Sequence, residues 1–136
     1  MKIELSVIEL GKLLKEIGNQ YRLEMMAKIK LSGGWMTLQG EGIVEKIPQE
    51  GTKGNIITVR LTNGEELGSI INITGAKDSK FSIDVSKGKY KELRPGKLNI
   101  DTIKTNEDEC KLRIDEDIIF KIEAPLNRVL DIIEAL

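Results

Sequence analysis

The spacing of apolar residues changes period near residue 20 and again near residue 125. Ile8, Leu10, Leu13, Leu14 and Ile17 recur at mostly helical intervals. Ser6-Val7-Ile8-Glu9 has the S-x-x-E form of a capping box, in which Ser6 accepts from an early amide and Glu9 reaches back to the cap. This predicts a helix over 6–17, stopped by a left-handed residue at Gly18 or Asn19. From Tyr21 the period becomes two. Tyr21, Leu23, Met25, Ala27, Ile29 and Leu31 alternate with Arg22, Glu24, Met26, Lys28 and Lys30, the signature of a half-buried strand.

Further strands follow at short intervals. "SGG" (32–34) reads as a turn into "WMTLQGEGIVEKI" (35–47), where Gly40 and Gly42 predict a bulge or a sharp bend. After a loop at 48–55, "IITVRL" (56–61) and "LGSIINI" (67–73) flank Asn63-Gly64, a strong hairpin signal. "FSIDV" (81–85), "KLNIDTI" (97–103), "CKLRI" (110–114) and "IIFKIEA" (118–124) complete eight predicted strands. Pro125 then opens a last helix with Leu126, Val129, Leu130, Ile133 and Leu136 on one stripe.

Short turns and no helical crossovers imply an antiparallel sheet. The expected fold is α+β, mainly antiparallel β: a consecutive meander of seven to eight strands rolled into a small barrel or sandwich, with a helix at each end. No linker or repeat divides the chain. It reads as one domain over 1–136, with an N-terminal helix in 1–18, the meander in 19–124 and a C-terminal helix in 125–136.

Composition narrows the chemistry. The 136 residues include no histidine, which removes Ser-His-Asp and Cys-His devices, histidine zinc sites and a histidine base. The single cysteine, Cys110, forms no internal disulfide and follows Glu107-Asp108-Glu109, whose charge disfavours a thiolate. That acidic cluster and Asp115-Glu116-Asp117 lack calcium-loop spacing and read as solvated hairpin ends. "GEGIVEKI" and "RPGK" both fall short of a phosphate-binding glycine motif. No metal, cofactor or catalytic constellation is expected. "MKIELSVIEL" carries Glu4 and Glu9 among its apolar positions, which interrupts a signal-peptide core, and no run reaches membrane-spanning length. The expected location is cytoplasmic or intracellular, or within a virion, with no membrane partner.

Charge is unevenly placed along a chain whose net charge is −1. Residues 77–97 carry seven Lys/Arg against three Asp/Glu, and residues 98–136 carry five against ten. The basic segment holds Lys87, Lys89, Tyr90, Lys91, Arg94 and Lys97, cations for phosphates around one ring for a base. Only five aromatic residues exist in the chain, fewer than a stacking platform usually presents. A basic segment meeting acidic turns of another copy is a further use of the same asymmetry.

The succession "LQGEGIVEKI…NIITVRLTNGEELGSI…LRPGKLNI" resembles, over roughly 35–123, the rhythm of an OB-like barrel: a bent strand, a hairpin and a glycine-marked return. The resemblance implies a small barrel of the kind that binds single strands. It equally implies a rigid protein–protein module such as occurs in phage-tail and spike-like particles, so fold does not choose function. The first expectation is a non-enzymatic structural or interaction module with a protein partner or its own copies. Its contact stripe on the last helix would be Leu126, Val129, Leu130 and Ile133. The alternative is a single-strand nucleic-acid binder using 77–97.

Overall fold

The computed structural model describes residues 1–31, 34–47, 55–62, 69–75, 81–85, 89–93, 98–114 and 118–136. At 29–31, 35–36, 55–56, 69–75, 81–85, 89–93 and 98–99 the description is of backbone alone. The Asn63-Gly64 turn and the acidic cluster at 115–117 lie outside the described residues.

A short strand β1 (Lys2–Leu5) leads into helix α1 (Val7–Gln20). The capping box forms as its sequence predicts: Ser6 Oγ accepts from the Glu9 amide at 3.2 Å, and Glu9 Oε1 accepts from the Ser6 amide at 3.0 Å. Replacing Ser6 with alanine removes one of these bonds and should cost about 1 kcal/mol, read from the midpoint of urea unfolding. The predicted stop at Gly18 or Asn19 is not used. The helix runs on to Gln20 and ends at Tyr21, whose backbone is extended (φ −137°, ψ 164°) and whose amide still bonds to Ile17 O at 2.8 Å. The chain leaves the helix already aligned for the next strand, so no left-handed residue is needed to redirect it.

Among the described residues, ten strands join in one sheet. After β1 come β2 (Leu23–Leu31), β3 (Gly34–Lys46), β4 (Asn55–Thr62), β5 (Ser69–Gly75), β6 (Phe81–Val85), β7 (Lys89–Leu93), β8 (Leu98–Lys104), β9 (Cys110–Ile114) and β10 (Ile118–Ile122), then helix α2 (Leu126–Glu134). Spatial order is β1-β8-β9-β10-β2-β3-β4-β5-β6-β7, and every pair is antiparallel. All eight predicted strands are present. β1 and β7 are additional, because "KIEL" and "KYKEL" are short, charged segments with little apolar alternation.

The single consecutive meander becomes two. β2 to β7 form one and β8 to β10 the other, and the pairing of β10 with β2 welds them. The backbone bond from the Glu123 amide to Arg22 O, 3.1 Å, extends that seam. The sheet is open, with β1 and β7 at its two edges, so the expected closure into a barrel is not seen. β7 nevertheless returns to within 8 Å (Cα–Cα) of β2.

Gly40 and Gly42 do not mark the irregularity of β3. The register against β4 shifts between Val44 and Lys46 instead. A Cβ added at Gly42 would stand 3.4 Å from Val59 Cγ1 and 3.6 Å from Met25 Cβ, ordinary contact distances, so packing alone does not demand glycine there.

The core lies between the helices and one face of the sheet. α1 contributes Leu10, Leu13, Leu14 and Ile17, all fully buried. Facing them are Leu23 and Met25 of β2, Val44, Ile57, Val59, Ile100, Leu112 and Phe120. At one edge, Thr102 Oγ1 donates to Met1 O (2.9 Å) and the Met1 ammonium donates to Thr102 O (3.1 Å), which fixes β1 on β8. Among the described residues, no helix is long and apolar enough to cross a membrane.

Candidate functional site

Within the basic segment 77–97 the described residues are strands β6 and β7, which pair antiparallel. Lys89, Tyr90 and Lys91 lie on edge strand β7, in register with Val85, Asp84 and Ile83 respectively. Strand alternation therefore puts the two lysines in different register rows from the tyrosine. Lys87, Arg94 and Lys97 lie outside the described residues.

The stripe on α2 meets the chain's own core. Val129 is fully buried, and Leu126, Ile132 and Ile133 pack, half-buried, against the same core. Leu130 is half-buried as well, while Leu136 is exposed. The stripe of Leu126, Val129, Leu130 and Ile133 is thus largely occupied in folding. Leu126, Leu130 and Ile133 keep part of their surface exposed.

Cys110 is fully buried at the start of β9. Burial pushes its thiol up to about 11 from the ordinary 9.0, so desolvation, not the neighbouring carboxylates, suppresses the thiolate. Because the folded thiol holds its proton more tightly, its contribution to stability is complete below pH 9.0 and fades as pH rises toward about 11. A thiol-specific reagent at neutral pH should leave the folded protein unlabelled and react fully once it is denatured. Of the acidic clusters, the one at 107–109 forms the β8–β9 turn. There the Asn106 side chain accepts from the Asp108 amide at 2.8 Å and donates to Glu109 Oε2 at 3.3 Å. Among the described residues no group of acidic or cysteine side chains is placed to hold a metal ion.

The sheet face opposite the helices carries two cross-strand rows. One row crosses six strands through successive pairs: Ile103, Lys111, Lys121, Glu24, Glu41, Thr62. The row beside it runs Asp101, Arg113, Ile119, Met26, Gln39. An open groove of about 320 Å³ lies between the rows, lined by Glu24, Met26, Gln39, Lys111, Ile119 and Lys121 among others. Lys121 approaches Glu109 at 3.7 Å, and Arg22 approaches Glu24 at 3.4 Å. Arg113 donates to Asp101 through Nη2 (2.6 Å) and Nε (3.2 Å). That hydrogen bond holds the Asp101 carboxyl below its ordinary 3.8, so the pair's support is present above that pH and is lost as pH falls through the lowered value.

The sequence did not point to these rows. Each contributing strand shows that its charged residues belong to the solvent set, but the residues come from six separated segments. Only the register reveals which charges stand side by side. Comparison with protein-family models, with curated proteins and with solved structures found no match to this chain.

Proposed function

We propose that the chain is a non-enzymatic structural or protein-interaction module that acts by holding protein partners, its own copies first among them. One observation carries this reading: the chain's own helices occupy one face of the sheet, while the opposite face presents ordered charged and apolar rows on hydrogen-bonded strands. Side chains mounted on paired strands keep their spacing, which is what a recognition surface requires. The finer shape in this reading is a partly rolled sheet, in which β7 closing on β2 would complete a six-stranded antiparallel barrel. Light scattering over a wide concentration range, with and without a short single-stranded oligonucleotide, tests the proposal. Mass rising with protein concentration alone supports it, and a monomer mass at every concentration counts against self-association.

A second reading, single-strand nucleic-acid binding, draws on the position of Lys89, Tyr90 and Lys91 on an edge strand. Lys87, Arg94 and Lys97 would complete its phosphate contacts. Fluorescence anisotropy at several salt concentrations decides it. Binding should weaken steeply with salt and vanish when Lys87, Lys89 and Lys91 become glutamate, whereas no binding at low salt eliminates it.

A further inference from the structure

The six-strand row has an unusual order of charge. Lys111 and Lys121 are directly opposite each other on β9 and β10, and Glu24 and Glu41 are directly opposite each other on β2 and β3. Like charges in such positions oppose strand pairing, and an alternating order would serve an isolated sheet better. The inner members have partial relief from Glu109 and Arg22. Among the described residues, the outer members, Lys111 and Glu41, have no ion-pair partner.

The order plus, plus, minus, minus is its own complement when reversed. We propose that this face is a contact between two copies of the chain, related by a two-fold axis parallel to the strands and passing between β10 and β2. Rotation about that axis sets Lys111 over Glu41 of the second copy and Lys121 over Glu24, and the reciprocal pairs form at the same time. The ends of the row agree: exposed Ile103 meets Thr62. In the neighbouring row the same rotation sets Ile119 against Met26, both half-buried, so the axis passes through a small apolar centre flanked by charge. An apolar middle with a polar surround is the usual anatomy of a protein contact. A patch of six strands, about 4.8 Å apart and about five residues long, covers on the order of 500 Å² per copy. That size belongs to a weak, reversible association whose strength depends on salt.

The inference rests on the self-association reading and names its surface. Two charge-reversed proteins test it, one carrying Lys111→Glu and Lys121→Glu, the other Glu24→Lys and Glu41→Lys, with circular dichroism verifying that each is folded. Sedimentation should show the unaltered chain associating, less so at high salt. Each reversed protein alone should associate at least about tenfold more weakly. An equimolar mixture of the two should regain dimer mass, since each supplies the charge the other lacks. If either reversed protein fails to fold, the milder pair Lys111→Ala with Glu41→Ala should still weaken association of the folded chain. Dimers that persist unchanged in the altered proteins overturn this contact and leave self-association standing. A chain that is monomeric at all concentrations overturns both.

Discussion

Replacing Phe120 with alanine should cost about 3–5 kcal/mol, a large share of the about 5–15 kcal/mol that stabilises an ordinary domain. Phe120 is fully buried at the midpoint of β10, paired with Leu112 on one side and Met25 on the other. It is also among the largest of the fully buried side chains. The strand that carries it joins the two meanders, and no chain turn connects β10 to β2, which lie nearly a hundred residues apart. The seam is therefore held by its ladder and by the side chains beneath it. Urea unfolding followed by circular dichroism measures the loss. A cost below about 1 kcal/mol would mean that Phe120 does not sit in a packed interior.

Ending the chain after Ala124 should abolish the stable fold. The truncation removes Val129, which is fully buried, and the partly buried Leu126, Ile132 and Ile133 that pack beside it. Each such side chain is worth about 1.5–3 kcal/mol when fully buried, and the three half-buried ones contribute part of that. The summed loss is comparable to the whole stability of a small domain. The expected product is aggregation-prone or unfolded, with lost amide dispersion in an NMR spectrum. A truncated chain that stays folded but no longer associates would show instead that α2 is a docking element, and would restore Leu126, Val129, Leu130 and Ile133 as the contact stripe.

Local rules were legible in the sequence wherever one segment carried the whole signal. The capping box at Ser6 and Glu9 appears as drawn, and the alternation from Leu23 to Leu31 makes a strand. Local reading failed where tertiary context decides. β1 and β7 have few apolar residues and owe their conformation to pairing with β8 and β6. Gly18 carried a helix-stop signal, yet the helix passes through it because the extended exit at Tyr21 suits the start of β2. Gly40 and Gly42 read as bulge signals, yet the register shift of β3 falls between Val44 and Lys46, which no local pattern reveals. The same limit applies to the surface. Lys111, Lys121, Glu24 and Glu41 are unremarkable until the β9–β10–β2–β3 register sets them in a line.

The fold and the proposed contact share one requirement: β10 must lie antiparallel to β2 with Lys121 opposite Glu24. Cross-strand nuclear Overhauser effects between 118–122 and 23–27 measure this directly. The expected ladder sets Ile119 opposite Met26 and Lys121 opposite Glu24. A ladder displaced by one residue, or no contact between these strands, would contradict it.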